Sequence, residues 1–154
     1  MARISQIVLI RQPEFHALTV RGTIDFMKDF ADFAGRGFDA VLSHLEGLNM
    51  LPAGEPLVCF HNADLGALDV EVGFPVSSPA EGRGEVRATT VPAQKAVSAI
   101  DMGPYEEQDP TLMELFDWVR ENGHQMQGPI YYRYLNDTDR PAREYLTKML
   151  LPLR

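Results

Sequence analysis

The chain has a single cysteine and no long apolar run. Because Cys59 is the only cysteine among 154 residues, no disulfide can form within the chain, and its apolar surroundings, PLVCF, favour a buried and inert thiol. The longest early apolar run, IVLI at residues 7–10, is too short for a signal-peptide core or a membrane span. These shortages predict a reduced, cytoplasmic setting without membrane contact.

Basic residues are scarce relative to acidic ones. The chain carries 14 Lys and Arg against 22 Asp and Glu, which gives a net charge of −8, and no basic stripe is present. A duplex-binding surface needs clustered Lys and Arg to neutralise phosphates. We therefore expect no direct binding to nucleic acid.

The common catalytic and metal-binding patterns are missing as well. There is no nucleophile elbow, no phosphate-binding glycine loop and no dinucleotide fingerprint. The four histidines, His16, His44, His61 and His124, show no metal-ligand spacing. We expect no metal and no cofactor, and we expect His124, which follows a helix-ending glycine, at the surface.

Two segments have the periodicity of helices that bury one face. The first spans about residues 24 to 47 and is either continuous or broken at Gly35 to Gly37. Its apolar residues recur three and four positions apart: Phe26, Phe30, Phe33, Phe38, Val41, Leu42 and Leu45. The second is DPTLMELFDWVRENG, for which we predict Asp109 as N-cap, Pro110 at the first helical position and Gly123 as the left-handed C-terminal cap.

The chain reads as an internal repeat around these two helices. Pro13 and Pro92 each break a pair of strands ahead of a helix, and FHN and GFPV after the first helix correspond to YLN and LLPL after the second. We predict an α+β fold with two pseudo-symmetric β-β-α-β-β repeats, eight antiparallel strands, two main helices and a central ligand cleft. The chain is then one domain, 1–154, with repeat one at 1–78, a connector at 79–83 and repeat two at 84–154.

One charged residue interrupts an apolar strand. In DVEVGFPV, strand alternation places Val70 and Val72 on one face and Asp69 and Glu71 on the other. Glu71 then faces either solvent or the cleft, and alternation alone leaves both options open.

Several motifs resemble one known family. Gly103-Pro104-Tyr105-Glu106-Glu107, a helix ending in WVRENG, the segment GPIYYRYLND, and the spacing from Pro141 through Glu144 to Thr147 resemble the GyrI-like effector-binding family, and FHNAD with VEVGFPV is a weaker version in the first half. The family includes stand-alone proteins and drug-sensing domains of transcription regulators. The resemblance implies the fold that SOUL-type haem-binding proteins share, and a turn at Gly103-Pro104.

The resemblance also implies site residues. The family typically has an acidic residue at the position of Glu71, directed at the cleft, where drug-sensing members receive cationic ligands. The equivalent position in the second half is Lys148, a departure that leaves the charge of the ligand open. The predicted ligand-binding residues are Glu71, Phe60, Tyr105, Trp118, Tyr132, Tyr134 and Lys148. Core packing is the alternative for Trp118 and for Tyr134, which shares a strand face with Tyr132 in IYYRYL. Tyr105 is either a lid over the helix or part of the cleft wall.

Three functions are compatible with the resemblance. The first is a receptor, as monomer or homodimer, for an apolar or aromatic compound that is either cationic or neutral. The second is a hydrolase of cyclopropane-containing toxins, in which Glu71 is the catalytic general acid or base. The third is a gyrase-inhibitor-like protein.

Overall fold

The computed structural model describes residues 2–154 and confirms an α+β fold with antiparallel strands. The strands are β1 (Ala2–Arg3), β2 (Val8–Gln12), β3 (Phe15–Ile24), β4 (Leu57–Phe60), β5 (Leu68–Val76), β6 (Arg87–Val91), β7 (Gln94–Met102), β8 (Ile130–Tyr134) and β9 (Leu146–Leu153). The helices are α1 (Phe26–Gly47) and α2 (Asp109–Glu121), with single 3₁₀ turns at Leu65–Ala67, Tyr105–Glu107 and Ala142–Glu144. The described residues thus hold nine strands rather than the eight predicted, because the short β1 pairs with the end of β7.

The predicted strand-strand-helix-strand-strand order is present in both sequence halves, with Pro13 and Pro92 at the breaks between paired strands. The contacts nevertheless divide the chain at these same prolines. One compact unit is Pro13–Pro92, and the other combines the residues up to Gln12 with Ala93–Arg154. Strand β2, from the first half of the sequence, therefore belongs to the unit that contains Ala93–Arg154, and β6, from the second half, belongs to the unit Pro13–Pro92.

The unit of residues 13–92 is a sheet in the order β4-β5-β3-β6 with α1 on one face. The helix is continuous through Gly35 to Gly37, so of the two options that the sequence left open the unbroken helix is correct. At Gly37 a Cβ would lie 2.4 Å from a methyl group of Val72, whereas at Gly35 it would meet nothing within 4 Å. The missing side chain at Gly37 thus lets the helix approach β5 closely.

Both ends of α1 are capped by its own sequence. The side chain of Asp25 accepts a hydrogen bond from the backbone N–H of Lys28 at the N-terminus. At the C-terminus Asn49 adopts a positive φ of 55°, and the N–H of Met50 donates to the carbonyl of Leu45. This is a Schellman arrangement with Asn in the left-handed position.

The second unit is built around β7, which pairs with β9 on one side and with β1 and β2 on the other, while β8 pairs with β9. Its core lies between the sheet and α2, and the buried members are Val97, Ala99, Leu115, Val119, Met149, Leu151 and Leu153. The alternate residues of β9, Lys148 and Leu150 among them, consequently point to the opposite face.

The boundaries of α2 were predicted with one error. Gly123 has a φ of 68°, and the N–H of His124 donates to the carbonyl of Val119, which confirms the C-terminal cap. Asp109, predicted as the N-cap, is instead the first helical residue, so Pro110 is the second rather than the first. Gln108 precedes the helix without a side-chain cap bond. The reason is that the 3₁₀ turn Tyr105–Glu107 runs directly into the helix.

Across residues 2–154, neither helix combines the length and apolar character that crossing a bilayer requires.

Candidate functional site

Glu71 is a buried carboxylate in the middle of β5. Its neighbours Val70 and Val72 are fully buried on the α1 face, and Glu71 points to the opposite face with only 8% of its surface exposed. Of the two orientations that the sequence left open, the solvent-facing one is therefore wrong. A carboxylate removed from water in this way needs hydrogen-bond donors, because an unsatisfied buried charge is very costly.

Two side chains satisfy the Glu71 carboxylate. The hydroxyl of Thr19 on β3 donates to Oε2 at 2.5 Å, and Nε2 of His61 lies 2.8 Å from Oε1. The His61 contact places an ionisable imidazole against a carboxylate, which suits proton transfer as well as ion pairing. Sequence reasoning missed Thr19, which lies 52 residues from Glu71 and carries no motif of its own.

Cys59 lies beside this pair. It is the direct cross-strand partner of Glu71 in the β4–β5 ladder and is 2% exposed, so its predicted burial is confirmed. Its Sγ is 4.0 Å from Nδ1 of His61. The backbone N–H of His61 donates to the carbonyl of Asp69, which extends the ladder beyond β4 and keeps His61 on the same face as Cys59. We call Thr19, Cys59, His61 and Glu71 the Glu71 cluster.

An ion pair borders the Glu71 cluster. Arg21, directly across the ladder from Glu71, directs its Nε and Nη2 to the two carboxylate oxygens of Asp69, at 2.9 and 2.8 Å. The hydrogen bond from Arg21 lowers the pKa of Asp69, and the same bond raises the pKa of Arg21. Arg21 is thus paired with Asp69 rather than with the buried carboxylate.

Phe60 points away from the Glu71 cluster. Its ring centroid is 6.2 Å from that of Phe30 on α1, which in turn is 5.1 Å from that of Phe26. Phe60 therefore lies on the helix face of β4, and the structure does not bring it together with Glu71.

Three tyrosines stack in the other unit. The ring of Tyr105 stacks on both Tyr134 and Tyr145, with centroid distances of 4.9 Å in each case. Burial raises the pKa of Tyr134 and, to a lesser extent, that of Tyr105, so both phenols are neutral at physiological pH. Tyr145 was not predicted as a site residue. Strand alternation extended back from Thr147 would have placed Tyr145 on the same face as Thr147. We call Tyr105, Tyr134 and Tyr145 the tyrosine stack.

The turn before α2 places Tyr105 in this stack. Gly103 has a φ of 140°, which favours glycine, and its N–H donates to the carbonyl of Tyr145 at 2.9 Å. Pro104 then accepts a hydrogen bond from the N–H of Glu107. The predicted turn at Gly103-Pro104 is confirmed.

Trp118 and Tyr132 pack against the α2 core. The ring of Trp118 also stacks on His124 with a centroid distance of 5.4 Å, which leaves His124 half-buried rather than at the surface as expected. Burial raises the pKa of Tyr132. Both residues are thus partly buried against the core of this unit.

Lys148 is half-buried on β9 opposite Arg133 on β8, on the face away from α2. In the repeat these two positions correspond to Glu71 and Cys59. One unit thus carries an acid and a thiol where the other carries two cations.

Comparisons with known proteins agree with this architecture. A family model described as the GyrI-like small molecule binding domain matches residues 5–154. No curated protein sequence matches the chain.

Solved structures resemble the chain over nearly its whole length. The C-terminal domain of EcmrR matches with a TM-score of 0.84 and 19% identity, covering 98% of both chains. In the EcmrR–DNA complex the chain spans only 57% of the longer EcmrR chain. A hydrolase from Listeria innocua matches with a TM-score of 0.75 and 17% identity, covering 99% of this chain and 94% of that one. SAV2435 bound to tetraphenylphosphonium matches with a TM-score of 0.67 and 14% identity, covering 97% and 94%. At these identities the likeness shows a common fold.

Proposed function

The chain belongs to the GyrI-like small molecule binding domain family, and on that premise we propose that it is a receptor for an apolar or aromatic compound whose positive charge, where it has one, is received by Glu71. In this proposal the partner is a small molecule, the chain makes no direct contact with nucleic acid, and the receptor is a monomer or a homodimer. A gyrase-directed role stays a prediction from the sequence.

The observation that carries the proposal is the buried Glu71 carboxylate. It accepts hydrogen bonds from Thr19 and His61, while the adjacent Arg21 is paired with Asp69. The site therefore offers a buried acidic group in a region of low dielectric constant. Attraction to a cation is strong in such a place, because little water screens it.

The tyrosine stack belongs to the other unit, and the proposal for Glu71 does not depend on it. Tyrosine rings present electron-rich faces that attract both aromatic rings and cations. In this stack the phenols stay neutral, so they add no charge of their own. Trp118, Tyr132 and Phe60 contribute to the packing around the two helices, and the proposal does not depend on them.

Two structural neighbours support the ligand class. SAV2435 is bound to tetraphenylphosphonium in its structure, a cation enclosed by four phenyl rings, and its fold covers 97% of this chain. EcmrR, whose C-terminal domain matches this chain, forms a complex with DNA through a longer chain. Both neighbours are consistent with a receptor in which this chain recognises the small molecule.

A pair of ligands of equal shape and opposite charge tests the proposal. Tetraphenylphosphonium and tetraphenylborate differ mainly in the sign of the charge, so calorimetric titration of both separates electrostatic from hydrophobic binding. We expect saturable binding of the cation and markedly weaker binding of the anion. Absence of binding to the cation, or equal affinity for both ions, contradicts the proposal.

The contact between Glu71 and His61 favours a hydrolase as the second candidate. A carboxylate 2.8 Å from an imidazole can share a proton with it, and such a pair can activate water or protonate an opening ring. The fold of the Listeria innocua hydrolase, which covers 99% of this chain, is consistent with this role. If the chain hydrolyses a cyclopropane-bearing substrate, Glu71→Gln should lower turnover about a hundredfold or more. Absence of turnover by the wild-type protein at high concentration rejects this candidate.

A further inference from the structure

The Glu71 cluster contains three side chains that can bind a metal ion. One donor atom from each of Cys59, His61 and Glu71 can be chosen so that all three lie within 4.8 Å of one another. Among residues 2–154 no other group of three or more His, Cys, Asp or Glu side chains converges in this way. Two of the three residues are buried and the third is half-buried, which distinguishes the group from the exposed acidic clusters common on protein surfaces.

The strand geometry fixes the three donors on one face. Cys59 and Glu71 are directly opposite in an antiparallel ladder, and His61 follows Cys59 by two residues, so all three side chains leave the sheet on the same side. Four bonds of about 2.0 to 2.3 Å in tetrahedral zinc sites place neighbouring ligand atoms about 3.5 Å apart. Because the donor atoms lie within 4.8 Å of one another, their longest separation has to shorten by up to about 1.3 Å, which side-chain rotation can provide.

From this arrangement we infer that Cys59, His61 and Glu71 form a binding site for Zn²⁺ or a similar transition-metal ion. A thiolate, an imidazole and a carboxylate match the ligand preference of zinc, whereas magnesium and calcium prefer oxygen ligands alone. Three protein ligands leave the fourth tetrahedral position for water or for a donor atom of the small molecule. The Cys59 thiol releases its proton to solvent when its sulfur binds the metal.

Thr19 adds the outer support that metal sites commonly have. Its hydroxyl donates to Oε2 of Glu71, the oxygen that does not face His61, and so orients the carboxylate. Partners of this kind typically contribute about ten- to a hundredfold to metal affinity. Thr19→Val should therefore weaken zinc binding by about that factor while leaving all three ligands in place.

The inference does not rest on the receptor proposal, although both involve Glu71. A bound dication would cancel the negative charge that attracts an organic cation, so zinc and tetraphenylphosphonium should compete in the wild-type protein. Cys59→Ala removes a metal ligand and keeps the carboxylate. This variant should lose zinc binding, and zinc should then no longer compete with tetraphenylphosphonium.

The experiment is equilibrium dialysis of EDTA-treated protein against zinc, followed by titration with Co²⁺. We expect one zinc per chain, a thiolate-to-cobalt charge-transfer band, and at least about a tenfold loss of affinity in Cys59→Ala and in His61→Gln. His44→Gln is the matched control, since His44 bonds the carbonyl of Glu81 and belongs to no such group. Denaturant melts of the metal-free variants verify that each one folds.

Three results would overturn the site: no zinc retained by the wild-type protein, unchanged affinity in folded Cys59→Ala, or a cobalt spectrum without the thiolate band. Wild-type protein that binds tetraphenylphosphonium but no zinc refutes the metal site alone. Protein that binds zinc but no organic cation refutes the receptor proposal alone.

Discussion

Replacing Glu71 by glutamine removes one buried charge with almost no change in shape. The carboxylate accepts hydrogen bonds from Thr19 and His61, and a glutamine carbonyl can still accept one of them. The loss of a charge-assisted bond is offset by relief from burying a charge, so the free energy of unfolding should stay within about 1 kcal/mol of the wild type.

The effect on a cationic ligand should be larger. Two unit charges about 6 Å apart attract by about 3 kcal/mol at an effective dielectric constant of about 20. Part of this is lost to desolvation, which leaves about 1 to 3 kcal/mol for the contribution of Glu71. Glu71→Gln should therefore weaken tetraphenylphosphonium binding about 5- to 150-fold.

The assay is calorimetric titration of both tetraphenyl ions against the wild type and two variants. Glu85→Gln is the control, because it makes the same charge change at a half-exposed position that is paired with Arg36. We expect only Glu71→Gln to weaken cation binding, and we expect the anion to bind no worse. Equal losses for both ions would mean that shape rather than charge had changed. An unchanged cation affinity would show that Glu71 does not contact the ligand.

Three further predictions concern stability and follow from named contacts. Gly37→Ala should destabilise the protein by about 1 to 3 kcal/mol, because its Cβ would overlap a methyl group of Val72 on β5. Gly35→Ala, whose Cβ would meet nothing within 4 Å, should instead stabilise the protein by about 0.5 to 1 kcal/mol. Equal midpoints of urea unfolding for the two variants would refute this prediction. Thr111→Val should cost about 1.5 to 3 kcal/mol because the buried hydroxyl of Thr111 donates to Asp101 at 2.6 Å, and Thr111→Ser should restore most of the loss in the same urea melts. Burial raises the pKa of Tyr134, whereas an unfolded tyrosine ionises at about pH 10. The stability that the neutral phenol contributes is therefore complete below about pH 10 and declines as the pH rises above it. If the stability of Tyr134→Phe declined equally over the same pH range, the decline would not come from Tyr134.

The sequence determined the local elements and their order. Apolar spacing located both helices, prolines located the breaks between paired strands, and Gly123 located the end of α2, because each of these signals acts through the backbone of a few neighbouring residues. Local signals also had limits. Asp109 resembled an N-cap but follows a 3₁₀ turn, and Gly35 to Gly37 resembled a break but lie within a helix whose packing against β5 outweighs glycine's propensity.

Only the tertiary structure decided the environment of Glu71. Strand alternation shows which residues share a face, but whether that face is buried depends on contacts between segments far apart in the chain. Thr19, Cys59 and His61 meet Glu71 because β3, β4 and β5 pair in one register, and no short motif encodes that meeting. For the same reason, only the strand pairing shows that β2 pairs with β7 from the second half of the chain and that β6 pairs with β3 from the first half.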